Sequence, residues 1–245
     1  MGVLVGLTGV GGGSLMTPLL VLAFGFHPAT AVGTDLLYAT ATKTAGTSVH
    51  GARGTVDWRV VRRLASGSLP ACALTLLALW VSGIGAAKTN HLIAGVLGAV
   101  LIATGVATLF RARLLAWARP SLGVGDERRT ARLTVALGLL LGALVTLTSV
   151  GAGALGMTAL VVLYPRLPVA RLVGSDIAHA VPLTLLAGLG HLAMGSVDGA
   201  LLLSLLCGSV PGVLVGSWLA SRASDRVLGP ILAIVLALAG WRLLA

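Results

Sequence analysis

A chain of 245 residues with 57% hydrophobic types, 10% charged types and a mean hydropathy of +1.02 carries far less charge than the roughly 25% of a soluble domain. Seven acidic residues cannot keep a water-soluble particle of this size hydrated, so its solvent is lipid. The net charge of +10 does not point to nucleic acid. The basic residues sit in short clusters between apolar runs, as the cytoplasmic anchors of membrane proteins do, and no recognisable nucleic-acid module is present.

Eight hydrophobic elements follow one another at roughly 1–26, 30–50, 61–83, 90–110, 131–164, 172–191, 199–220 and 227–244, against the ~20 residues that cross a bilayer. The one long polar connection is 111–132, with Pro120, Gly123, Gly125, Asp126 and Glu127. It divides the chain into a first unit over 1–110, a cytoplasmic linker over 111–130 and a second unit over 131–245. The fold class is therefore an all-α polytopic membrane protein. Cys72 and Cys207 both fall inside apolar runs without metal-ligand spacing and read as small buried hydrophobes. Met1 leads into an apolar run without a charged segment, so no cleavable signal peptide is evident.

The two units are tandem repeats at an offset of 140–141 residues. Thr8-Gly9-Val10-Gly11-Gly12-Gly13 matches Thr148-Ser149-Val150-Gly151-Ala152-Gly153. Further on, Gly33-Thr34-Asp35 matches Gly174-Ser175-Asp176, and His50 matches His191. Gly54-Thr55-Val56-Asp57 matches Gly195-Ser196-Val197-Asp198, and Gly67-Ser68-Leu69-Pro70 matches Gly208-Ser209-Val210-Pro211. Apolar sequence aligns with itself by chance, but not through His, Asp and Pro together. About 18 apolar residues precede Gly151 and only ten precede Gly11, which leaves room for an upstream stretch ahead of Met1.

Repeated hydrophobic segments interrupted by glycine in corresponding places are the sequence pattern of secondary transporters. If all eight elements span, the halves are parallel, and the better orientation leaves about 11 basic residues inside and about 5 outside. If elements one and five are re-entrant hairpins, the halves are inverted, and the inner connections hold about 14. Element five, over 30 residues, would be about 50 Å long as one helix, too long for one ordinary span and too short for two. The inverted arrangement, with a glycine-broken first element in each repeat, is the expectation.

Four constellations are candidates for chemistry. The breaks at Gly11, Gly12, Gly13 and Ser14, and at Gly151, Ala152, Gly153 and Ala154, allow a tight reversal. Each would open a half-helix whose positive end suits an anion, although small residues also serve close helix packing. No Gly-Lys-Ser/Thr follows the glycines, which argues against nucleotide. Thr34-Asp35 and Ser175-Asp176 place carboxylates within apolar elements, as proton carriers facing a cavity or as helix N-caps. Lys43 lies deep in a span with Thr47 and His50 on its face, placed to pair with Asp35 or to meet an anion, or else to snorkel to an interface. Its repeat counterpart is Thr184. His179, three residues after Asp176, reads as a proton relay or as a structural histidine. Asp57 and Asp198 read as turn or cap residues before the next helix.

The run Gly9-Val10-Gly11-Gly12-Gly13-Ser14-Leu15-Met16-Thr17-Pro18-Leu19-Leu20 resembles the glycine-rich signature of the TauE/SafE family of membrane transporters. The run His27 to Leu36 and the turn Arg53-Gly54-Thr55-Val56-Asp57-Trp58 resemble its next two blocks. The resemblance covers the whole chain. It implies transport of a small sulfur-containing anion such as sulfite, a sulfonate, sulfoacetate or thiosulfate, in a bacterial inner membrane. Asp35 stands where many relatives carry Ser, and Ala152 and Ala154 replace a glycine and a serine of the first repeat. The partners expected are the anion and the bilayer, without nucleic acid, cofactor or metal, and with a homodimer left open. The rival readings are a metal or other cation permease, whose ligands lack tight spacing, and a membrane assembly factor. An intramembrane enzyme would need a nucleophile with its base, and no Gly-x-Ser-x-Gly elbow occurs.

Overall fold

A computed structural model describes residues 13–81, 86–110, 127–151, 153–220 and 225–244, with side chains for all of these except 13, 14, 86–88, 154, 210–220 and 225–232. Gly11, Gly12, Ala152 and most of the linker lie outside the described residues. Among the described residues the chain forms nine helices and no strand. They are α1 (Gly13–Leu22), α2 (Pro28–Ala52), α3 (Trp58–Val81), α4 (Ala86–Leu109), α5 (Glu127–Thr148), α6 (Ala154–Leu163), α7 (Val169–Ala193), α8 (Gly199–Ala220) and α9 (Asp225–Leu244).

The boundaries follow from local chemistry. Pro28 opens α2 and Pro168 directly precedes α7, positions where the missing N–H costs nothing. Both helices end into a left-handed glycine, Gly54 at φ 64° and Gly195 at φ 71°. The N–H of Thr55 then closes on the His50 carbonyl, and that of Ser196 on the His191 carbonyl, which satisfies the last carbonyls of each helix. Asp57 caps α3 by accepting the N–H groups of Arg59 and Val60, and Asp198 caps α8 by accepting that of Leu201. The helix α5 begins at Glu127, so the last four residues of the expected linker are helical. A carboxylate in the first turn favours that start.

Helices α3, α5, α7 and α4 from Thr89 are long and apolar enough to cross a membrane. Helix α2 is as long as α7, with 25 residues, but its second half carries Thr40, Thr42, Lys43, Thr44, Thr47 and Ser48. The buried core draws Val32, Leu36, Cys72, Ile93, Val145, Ala180 and Leu183 from five of the helices. Cys207, expected to be buried, is exposed on α8; an apolar thiol meets no penalty against lipid.

Helices α2 and α7 are an antiparallel pair. Gly33 near the start of α2 lies against the Ser196 carbonyl and His191 just after and at the end of α7, with no room for a Cβ. Gly174 near the start of α7 lies in the same way against the Thr55 carbonyl and His50. Midway, the Thr40 hydroxyl bonds Thr184 at 3.0 Å. The end contacts exchange under the offset of the sequence match. So do two hydrogen bonds: Thr34 Oγ1 accepts the N–H of Asp198 at 3.0 Å, and Ser175 Oγ accepts that of Asp57 at 2.8 Å. Helices α4 and α9 are likewise antiparallel, with Gly98 against the Gly240 backbone and Gly105 against that of Ala233. Helices α3 and α5 run parallel, Gly67 meeting Val135 and Leu139, and Gly142 meeting Ser68 and Ala71.

These directions sort the connections into two ends. At one end Arg63 reaches Glu127 at 2.8 Å and the Tyr164 hydroxyl at 3.4 Å, and Tyr164 also bonds Thr134. That end gathers Arg53, Arg59, Arg62, Arg63, Arg128, Arg129, Arg132, Arg166 and Arg171. The opposite end holds the 23–29 turn, tied by Ala29 N–H to Asn90 Oδ1 at 3.2 Å, and the 194–198 turn.

Candidate functional site

The chain breaks at the end of α5. Thr148 ends that helix, Ser149 takes φ 59° and Gly151 φ 121°. Helix α6 then runs back for 10 residues, about 15 Å, to Tyr164 beside Thr134 of α5. The break opens at Ser149, two residues before the expected glycines. Gly153 sits at the N-cap of α6, and a methyl on Gly156 would lie 3.2 Å from Asp176 Oδ1. The positive end of α6 therefore lies beside Asp176.

Asp35 and Asp176 each lie seven residues past the start of a helix, so neither is an N-cap. Both are buried. Thr17 of α1 donates to Asp35 Oδ2 at 2.6 Å, while Oδ1 has no partner. The Ser149 hydroxyl faces the same carboxylate from the break of the other half, without closing a hydrogen bond of good geometry. Asp176 Oδ1 also lacks a partner. Three residues on, His179 Nε2 meets Ser68 of α3 at 2.8 Å, and its Nδ1 is unpartnered. His191 donates from Nε2 to the Thr146 carbonyl at 2.9 Å, tying the end of α7 to the end of α5. His50 instead meets Thr55 at 2.8 Å and closes its own helix end.

Because Gly46 touches Ile177 and Gly174 touches His50, Asp176 lies level with about Ser48 of α2. That places the two carboxylates about 13 residues, or ~20 Å, apart in depth. Lys43 stands between them, half-buried on α2 and within electrostatic reach of Asp176, Asp35 and His179. Among the described residues no carboxylate comes within salt-bridge distance of Lys43. The direct pairing with Asp35 read from the sequence is not formed.

The structure thus brings Asp35, Lys43, Asp176, His179 and the second break to the central helix pair. It commits the hydroxyls of Thr34 and Ser175 to bonds between the halves. Gly13 and Ser14 open α1. The sequence reading gave no role to Thr17, Ser149 or Ser68. Thr17 lay within the quoted glycine-rich block and Ser149 within the repeat match, so the residues were in view and their cross-helix aim was not. Among the described residues no group of three His, Cys, Asp or Glu side chains is placed to hold a metal ion.

Comparison with known proteins places the chain among membrane transporters. The family model described as sulfite exporter TauE/SafE matches residues 1–243. The chain is 38% identical over 247 residues to a probable membrane transporter protein, YjnA, of Bacillus subtilis, covering 100% of this chain and 96% of the relative. It is 28% identical to a second probable membrane transporter protein of that organism, YdhB, covering 100% of this chain and 96% of the relative. A probable membrane transporter protein of Xylella fastidiosa is 28% identical, over 99% of this chain and 92% of the relative. No solved structure matches the chain. The chain belongs to the sulfite exporter TauE/SafE family of multi-pass membrane transporters.

Proposed function

We propose that this protein is a secondary transporter that moves a small sulfur-containing anion of the sulfite, sulfonate, sulfoacetate or thiosulfate type by alternating access between two inverted halves. The observation that carries the reading is Lys43, a cation among apolar helices that no carboxylate of the described residues pairs directly and that stands between the buried Asp35 and Asp176. An ammonium there is costly unless it has a partner, and a singly or doubly charged oxyanion supplies one. The start of α6 adds a helix N-terminus at a similar depth, which favours negative charge. By reciprocity of the halves, the start of α1 at Gly13 is the matching helix end.

A carboxylate beside an anion repels it unless protonated. Asp176 and His179, on one turn with a free Oδ1 and a free Nδ1, are the proton carriers in this reading. Protonation of Asp176 removes the competitor for Lys43 as the anion arrives, and so links proton and anion movement. The arginine-rich end faces the cytoplasm by the positive-inside rule, in a bacterial inner membrane, and the α5–α6 segment is a re-entrant hairpin.

The deciding experiment is thermal stability of the purified protein with sulfite, sulfate, sulfoacetate and thiosulfate at two pH values. At least one sulfur oxyanion raises the melting temperature in a saturable manner, and Lys43→Gln abolishes the rise. Stabilisation by divalent metals alone would favour a cation permease and overturn the reading.

A further inference from the structure

Asp35 and Asp176 are repeat counterparts, yet their surroundings differ. Asp176 faces Lys43 as its foremost charged neighbour and the bare backbone of Gly156. Asp35 faces hydroxyls: Thr17 at 2.6 Å on Oδ2, and Ser149 from the break of the second half. All three residues are more than nine-tenths buried, Thr17 and Asp35 at 0% exposure and Ser149 at 7%. Two oxygens here, Asp35 Oδ1 and Ser149 Oγ, have no hydrogen-bond partner. No cationic side chain comes within salt-bridge distance of Asp35 among the described residues. Lys43 is eight residues away along α2, ~12 Å in rise.

The backbone adds a second, independent sign. Ser149 holds φ 59°, a left-handed conformation that a non-glycine residue adopts at a cost. Its neighbour Thr148 accepts the Val150 N–H at 3.1 Å and so fixes the turn. The result is a cluster of oxygens from Thr17, Asp35 and Ser149 that carries one formal negative charge and includes no thiol or imidazole. Hard cations choose oxygen donors, and a single carboxylate among neutral oxygens matches a monovalent ion. Unwound backbone at a helix break is also where transporters hold such ions.

We propose that the junction of Asp35, Thr17 and Ser149 is a sodium-ion site. The ion bridges α1 and α2 of the first half to the break between α5 and α6 of the second. Binding therefore favours the arrangement in which the Asp35 carboxylate and the Ser149 turn are together. Its part in driving anion movement rests on the transport reading above; its occupancy does not.

The test is melting of the full-length purified protein in detergent, with chloride as the anion, in sodium chloride against choline chloride at equal ionic strength and at two pH values. Sodium raises the melting temperature by several degrees in a saturable way. Asp35→Asn abolishes the shift, Ser149→Ala weakens the apparent affinity at least tenfold, and Asp176→Asn keeps it. Ser149→Ala retains the main chain and removes only Oγ, so it decides the matter if Asp35→Asn does not fold. The absence of a sodium-specific shift overturns the proposal, as does a shift that survives in Asp35→Asn. Stabilisation in choline by lower pH alone, with no sodium effect, overturns it too and assigns the junction to a proton. Because no sulfur oxyanion is present, either result leaves the anion reading to its own test.

Discussion

At the scale of single residues, the buried carboxylates decide most of the chemistry. Thr17→Val keeps the shape of α1 but removes the donor to Asp35 Oδ2. A buried acceptor left unsatisfied costs about 1–3 kcal/mol, so the melting temperature falls by several degrees and transport drops with it. Thr17→Ser restores both, and a Thr17→Val protein as stable as the parent would remove Thr17 from the account. Asp176→Asn addresses the proton step: in proteoliposomes, anion uptake loses its dependence on an imposed pH gradient while anion binding persists. Uptake still following the gradient would exclude Asp176 as the carrier. Asp35, Asp176 and Lys43 were legible because charge is rare in apolar segments and stands out against them. Thr17, Ser68 and Ser149 were not, because a hydroxyl inside an apolar helix ordinarily bonds its own preceding turn. Thr40, Thr75, Thr108, Thr134 and Thr146 do just that here.

At the scale of elements, the glycines separate into two kinds. Gly33 and Gly174 lie against the carbonyls of the turns that follow the opposite helix, where a methyl has nowhere to go. Gly174→Ala therefore displaces the 55–57 turn and breaks the Ser175–Asp57 hydrogen bond, at a cost of at least about 2 kcal/mol. Gly95 of α4 has nothing within 4 Å of an added Cβ, and Gly95→Ala is neutral or stabilising by up to about 1 kcal/mol. Melting of the two variants side by side checks the assignment; equal effects would mean the turn is not seated on α7. The repeat marked these residues as equivalent long before it explained them. The match of Gly33-Thr34-Asp35 with Gly174-Ser175-Asp176 located the motif, but the sequence linked its glycine to no partner. That partner is the second matched motif, the turn with Thr55 or Ser196, contributed by the other half. A chain compared with itself reports correspondence and not contact, so the reciprocal docking of the two motifs was invisible.

At the scale of the whole molecule, the question is which connections share a side of the membrane. Helix α6 returns toward the start of α5, because Tyr164 bonds both Thr134 and Arg63. The 164–168 connection then lies with the 53–57 turn, although one more crossing would separate them if every hydrophobic element spanned. Single cysteines at exposed positions, in a background carrying Cys72→Ala and Cys207→Ser, report this directly. Arg62→Cys and Arg166→Cys lie at the arginine-rich end, while Phe24→Cys and Ala193→Cys lie at the other. In intact cells an impermeant maleimide labels the second pair, and the first pair reacts only after the membrane is permeabilised. The pairing matters more than the absolute side. If both pairs exchange sides together, the positive-inside assignment fails and the hairpin stands. If positions 62 and 166 label from opposite sides, the α5–α6 segment crosses the bilayer, the halves are parallel, and the break at Ser149 cannot be a re-entrant tip. Asp35 and Asp176 would then no longer stand at mirrored depths from the two faces, and the case for Lys43 as the central anion partner would lose its geometric basis.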